Sequence, residues 1–210
     1  VEADLKIGHV SFTVEDLNVS MSGLPIRVTR TYDSRRASKE LDFGFGWSVD
    51  YQTVRIDESR TLGMHWVTNT YASGLLGMLN TYCVEPQGAP YVTVTLPNGD
   101  VEKFKVGATP CLESVSEFDV TLTFTPVGNT QSELKLKSAA GLREVDGHLE
   151  ILGDGVPFNP DEYVLTTQAD YEYELDQNFG IRKVIDPNGH TITYSTNGIT
   201  HSSGKAITFH

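Results

Sequence analysis

Between Tyr171 and Phe209 glycines punctuate the chain at a steady interval: Gly180, Gly189 and Gly198 stand nine residues apart, and Gly204 follows six later. The segments between them are short and rich in β-branched and aromatic residues, as in Ile-Arg-Lys-Val-Ile-Asp-Pro-Asn-Gly and His-Thr-Ile-Thr-Tyr-Ser-Thr-Asn-Gly. Asn-Gly or a similar dipeptide between two such runs is the strongest short-range hairpin signal. A fixed interval from turn to turn predicts a row of strands of similar length, built by reusing one unit. A chain paced this way is expected to make a wall or a surface.

Strand-like alternation extends upstream. Leu17, Val19 and Met21 share one face against Asn18, Ser20 and Ser22; Gly23 allows a turn; Ile26 and Val28 then alternate with Arg27 and Thr29. Val92, Val94 and Leu96 lead into the turn Pro97-Asn98-Gly99-Asp100, and residues 101–106 read as the returning strand. Val120, Leu122 and Phe124 make another apolar face, and Leu134 and Leu136 sit between Glu133, Lys135 and Lys137 as in a half-solvated strand. The helix candidates are two short segments, 71–79 and, after an Asn159 cap, 160–165. Residues 63–88 are the least patterned and read as a long connection. The expectation is an all-β, antiparallel, hairpin-rich fold with at most one or two short helices. A hairpin-rich region over 1–140 and repeats over 141–210, with a seam near 139–141, are read as two parts that can equally form one continuous domain.

Composition narrows the function classes. The 210 residues carry a formal net charge of −12, which repels phosphate backbones and argues against nucleic acid. No apolar run is long enough for a membrane span; the longest, Leu75 to Leu79, is interrupted by Gly77. The chain opens at Val1-Glu2-Ala3-Asp4 and closes at Thr208-Phe209-His210, inside what reads as a continuing strand, so a fragment of a longer polypeptide is expected. Cys83 and Cys111, 28 residues apart, are disulfide candidates; two buried thiols fit the spacing equally well. Asn18-Val19-Ser20 matches the glycosylation pattern, which has meaning only in a eukaryotic secretory route.

Two blocks together resemble the RHS/YD-repeat family. The first is Gly23-Leu24-Pro25-Ile26-Arg27-Val28-Thr29-Arg30-Thr31-Tyr32-Asp33-Ser34, followed by Phe43-Gly44-Phe45-Gly46-Trp47. The second is the glycine-paced tail with Gly180, Asp186, Gly189 and Gly198, and Leu96-Pro97-Asn98-Gly99 as an outlying copy of its turn. The blocks cover about half the chain. The resemblance implies the N-terminal part of a hollow shell of antiparallel strands, which encloses a C-terminal toxin or other cargo in bacterial members and belongs to cell-surface ectodomains in animal relatives. Partners would then be the rest of the same polypeptide and secretion-system proteins, with self-association through an exposed strand edge. The location would be secreted or cell-surface, with a bacterial origin favoured.

The structural motif residues of this reading are Gly23, Pro25, Arg30, Tyr32, Ser34, Gly44, Gly46, Trp47, Gly180, Asp186, Gly189 and Gly198. Gly44 and Gly46 are expected to bend the chain sharply while Phe43, Phe45 and Trp47 pack as a corner plug.

Chemistry has little foothold. Nucleophile elbow, phosphate-cradling glycine loop and paired-cysteine zinc patterns are all missing from the sequence, and neither a catalytic centre, a metal site nor a cofactor is expected. His190 and His201 are the histidines that neighbouring strands can bring together. Asp57-Glu58, Glu144 with Asp146, and Asp161-Glu162 read as solvated charge. Asp186-Pro187 resembles a self-cleavage motif of toxin-bearing relatives, but its place before Asn188-Gly189 reads as a plain turn. The alternative to a shell segment is an extracellular β-sheet module that recognises a glycan or protein.

Overall fold

The computed structural model describes residues 8–41, 43–138 and 140–209; Ala139, in the expected seam, and the residues at both chain ends noted above as 1–4 and 210 lie outside them. Strands β1 (Ser11–Val19) and β2 (Ile26–Asp33) form the first hairpin, with a register shift between Glu15 and Leu17. A two-residue ladder, β3 (Glu40–Leu41) with β4 (Gly44–Phe45), leads to β5 (Trp47–Val49), which pairs with β2. Next come β6 (Arg55–Glu58) and a long hairpin of β7 (Trp66–Ser73) and β8 (Leu79–Pro86). Strands β9 (Tyr91–Thr95) and β10 (Val101–Thr109) flank the Pro97-Asn98-Gly99-Asp100 turn, β11 (Leu112–Glu113) pairs with β8, and β12 (Thr121–Pro126) pairs with β10.

The remaining strands are β13 (Glu133–Leu136), a separate hairpin of β14 (Leu142–Val145) and β15 (His148–Ile151), then β16 (Glu162–Thr166), β17 (Glu172–Asp176), β18 (Gly180–Ile185), β19 (Thr191–Ser195), β20 (Gly198–His201) and β21 (Ala206–Thr208). The largest sheet has seven strands in the order β13-β16-β17-β18-β19-β20-β21; a four-stranded sheet runs β12-β10-β9-β6. All named pairings are antiparallel. The sheet of repeats thus takes its first strand from before residue 141.

The fold is all-β. Three single 3-10 turns, Ser34–Arg36, Asp50–Gln52 and Leu75–Gly77, are the helical segments among the described residues. Both sequence-based helix candidates fall: 71–79 is the outer half of the β7–β8 hairpin with its tip, and 160–165 runs into β16. Residues 63–88, expected as a connection, hold the longest uninterrupted register, eight pairs from Trp66↔Pro86 to Ser73↔Leu79. Their period was hidden because the outer half of that hairpin is exposed on both faces, so no burial pattern imposes alternation.

One apolar cluster joins these sheets, from Ile26 and Val49 through Trp66, Phe104, Leu142 and Tyr163 to Ile199. Leu134, Leu165, Leu175 and Ile192 enter it from alternating positions of the large sheet, as period-two patterning requires. Burial of each such side chain contributes about 1.5–3 kcal/mol.

Candidate functional site

The two sequence blocks meet in space. Gly23, in the turn ahead of β2, lies against the turn joining β18 to β19: a Cβ built on it would sit 2.3 Å from His190 Nδ1 and 2.7 Å from Asp186 Oδ2. With φ at 82° the position also favours glycine on backbone grounds. Asp186 is buried and organises the turn beneath. Its Oδ1 accepts from the backbone N–H groups of Asn188 (2.9 Å) and His190 (2.8 Å), and Oδ2 contacts His190 Nδ1 at 2.8 Å. Burial alone would raise the carboxyl; the His190 ring and these N–H groups outweigh it and hold the pKa below the usual aspartate value. The carboxylate is occupied by turn contacts, in keeping with a plain turn at Asp186-Pro187.

The same backbone pattern recurs four times. In residues 96–100, 167–171, 186–190 and 201–205 the first residue's N–H reaches the fifth carbonyl, and the fourth N–H returns to the first carbonyl. Gly99, Gly189 and Gly204 fill the fourth position, where φ is positive; Asp170 takes it in the second copy. The nine-residue spacing therefore merges two kinds of glycine. Gly189 closes a turn in open space, while Gly180 and Gly198 begin returning strands and are buried against neighbouring backbone. A Cβ on Gly180 would come within 2.2 Å of Tyr51 O, and one on Gly198 within 1.9 Å of Ile207 O.

Next to the Gly23 junction, Leu24 and Pro25 face Leu96, Pro97, Tyr173 and Tyr194 across an apolar groove of about 320 Å³. The outlying turn copy and the repeat sheet therefore wall one hollow. Burial, followed by the nearby Tyr173 and Tyr51 phenols, pushes the Tyr194 hydroxyl up to about 12, so it stays neutral. Its ring stacks on Tyr51 at 4.5 Å.

The Gly-aromatic-Gly-Trp corner is built differently from the plug expected of it. Trp47 packs edge-on to Phe12 (5.3 Å) and beside Tyr32 (5.5 Å), with the Arg30 guanidinium 5.0 Å from its ring. Arg30 also lies 5.5 Å from the Phe43 ring and forks onto Asp16, with Nη2 2.7 Å from Oδ1. Phe43 meets Phe209 edge-on at 5.8 Å, tying the corner to the chain beyond β21. Phe45 takes no part and is 59% exposed. Gly46 is needed where it stands, since a Cβ would meet the Tyr32 ring at 2.8 Å; Gly44, at φ 100°, borders open space. Ser34 Oγ accepts from Val10 N at 2.9 Å and closes the open end of the first hairpin.

Cys83 and Cys111 form a disulfide, fastening β8 to the residue before β11. His190 and His201 stack with centroids 6.2 Å apart. His201 Nδ1 accepts from Ser203 N at 3.0 Å, which leaves its buried Nε2 as the protonated nitrogen. Among the described residues no group of three His, Cys, Asp or Glu side chains is arranged to hold a metal.

The acidic pairs separate. Asp57 faces Arg55 at the surface, Glu162 pairs with Lys137 at 2.9 Å, and Glu144 accepts from Thr68 Oγ1 and Gly147 N, both at 2.9 Å. Glu58 turns inward, a placement the sequence reading missed. It accepts from the Tyr163 hydroxyl and from Gln177 Nε2 (2.6 Å), and burial pushes its carboxyl up against the lowering effect of both donors. These contacts bridge β6 to β16 and the turn after β17, a satisfied structural network.

Residues 3–73, about a third of the chain, match the model of a family described as a domain of unknown function (DUF6531). No curated protein and no solved structure matches.

Proposed function

We propose that this chain is structural: a segment near the start of an RHS/YD-repeat protein, forming wall or cap of a hollow β-shell around a C-terminal toxin or other cargo. The observation that carries the reading is the seating of Gly23 on Asp186 and His190. It locks the opening block onto the repeats, as a cap must be locked onto the wall it closes. The recurring turn supports it, because a sheet extended by one repeated hairpin can grow without a new design for each strand. The edges support it too. β21 and β6 are the outer strands of the seven- and four-stranded sheets, whose other ends, β13 and β12, lie against each other; such outer edges invite further strands of the same polypeptide or a second copy. The family match falls on the block that includes the Gly23 turn and the aromatic corner.

The function is containment, and its partners are the remaining repeats, the cargo and the secretion machinery that moves the particle to the cell surface or beyond. The test is electron microscopy and limited proteolysis of the polypeptide that carries this chain. A hollow particle whose C-terminal segment resists protease, and loses that protection in Gly23→Val, is the expected result. Release of residues 1–210 as a self-contained monomer that binds a component of a glycan array would overturn the shell in favour of a recognition module.

A further inference from the structure

The tip of the β7–β8 hairpin presents Leu75, Leu76 and Met78 to water at 86%, 86% and 81% exposure. Contiguous exposed apolar side chains of this size mark an interaction surface. Leu76 is held at φ 64°, a left-handed conformation costly for a leucine, and Gly77 N returns to Gly74 O to close the tip. The stem is stiffened behind it. Tyr82 and Thr81 pair with Leu112 and Glu113 of β11, Ser114 N donates to Asn80 O, and the Cys83–Cys111 bridge lies one residue further down.

Charge distinguishes this patch from the exposed apolar residues of β1, which alternate with groups such as Glu15 and Asp16. From Trp66 to Val84 the hairpin contains no Asp, Glu, Lys, Arg or His. Tyr71 stands four residues behind Leu75, roughly 13 Å at the rise of a strand. Its hydroxyl donates to Glu85 at 2.6 Å, which aims the polar end of the ring back toward the body. An uncharged apolar tip backed by the exposed Tyr71 matches the layering of a lipid interface, with hydrocarbon inside and an amphipathic ring at the headgroups. Backbone pairing runs along the stem up to Ser73↔Leu79, and the Gly77 N–Gly74 O bond closes the reversal beyond it, so the unpaired groups are confined to the shallow tip. The rest of the chain is acidic, which disfavours anionic lipid.

We propose that the β7–β8 tip inserts shallowly into the surface of a zwitterionic bilayer, with Leu75, Leu76 and Met78 below the headgroups and Tyr71 among them. This contact is independent of the shell reading. The experiment is flotation of the intact chain with phosphatidylcholine vesicles. Wild type and Val156→Asp, a change at another exposed site, are expected to float alike, and Leu75→Asp/Leu76→Asp at least tenfold less. Phosphatidylserine at a third of the lipid is expected to weaken wild-type flotation at low salt. A Leu75→Trp variant, read by quenching with brominated phosphatidylcholine beyond that of wild type, reports insertion should the double variant fail to fold. No flotation of wild type, equal flotation of a folded double variant, or an introduced indole that bromine leaves unquenched overturns the proposal. So does a tip substitution that abolishes a protein–protein contact while leaving vesicle binding intact.

Discussion

The β13–β21 sheet and the β7–β8 hairpin are both antiparallel ladders, yet they treat their reversals in opposite ways. The sheet turns after short strands, and its buried glycines let backbone press on backbone, at Tyr51 for Gly180 and Ile207 for Gly198. The hairpin runs eight pairs before turning, places a leucine at φ 64°, and leaves the apolar tip in water. One region uses its irregular positions for close packing; the other leaves them open to water. Positive-φ positions in this molecule therefore mark two different demands, and only the surroundings tell them apart.

Substitutions can break this contrast. Gly198→Ala should cost about 3 kcal/mol or more, because a methyl group would collide with Ile207 O in a strained backbone region, whereas Gly189→Ala, facing open space, should cost about 1 kcal/mol. Equal losses in thermal melts would show that conformation, not crowding, governs both sites. Removing the bridge with Cys83→Ser/Cys111→Ser should lower stability by about 3 kcal/mol, given the 28-residue separation, and amide exchange should rise first in β8 and β11 while the repeat sheet stays protected. Uniform exchange across both regions would erase the distinction. Leu76→Gly should relieve the tip and raise stability by about 1 kcal/mol in denaturant titrations; a loss would mean that the leucine packs in solution.

The smallest expected effect is pH-dependent. Burial raises the folded pKa of Glu58 above its ordinary 4.5, so the fold favours the protonated form. That contribution is fully present below the ordinary value and is lost as pH rises through the raised one. Glu58→Gln, neutral throughout, should therefore gain melting temperature relative to wild type between pH 4 and pH 7. A constant difference would remove burial as the cause.

Turn chemistry made much of this fold legible. Pro97-Asn98-Gly99-Asp100 and Asp186-Pro187-Asn188-Gly189 announce their hairpins, and alternation at Ile26/Val28 and Leu134/Leu136 correctly separates buried from exposed faces. Local signals fail where tertiary contact decides. Gly180 and Gly198 look like further turn tips, but crowding by partners 129 and 9 positions away sets their role. The 167–171 turn lacks a glycine and escapes a glycine count. Neighbouring strands do bring His190 and His201 together, as the spacing allowed. Yet nothing in the first block indicates that Gly23 would rest on Asp186, since 163 residues separate them. Phe45 shows the converse: its motif suggests a plug, while Trp47, Tyr32, Phe12 and Arg30 complete that corner without it.

The bond between Cys83 and Cys111 gives the long hairpin a history as well as a shape. Inside a reducing cytosol both sulfurs would remain thiols, and β11 would hold to β8 through two residue pairs and the Ser114 N–Asn80 O bond. Closing the bond in oxidising surroundings would add a covalent tie at this point, so the stiffness of the stem would follow the redox state around it.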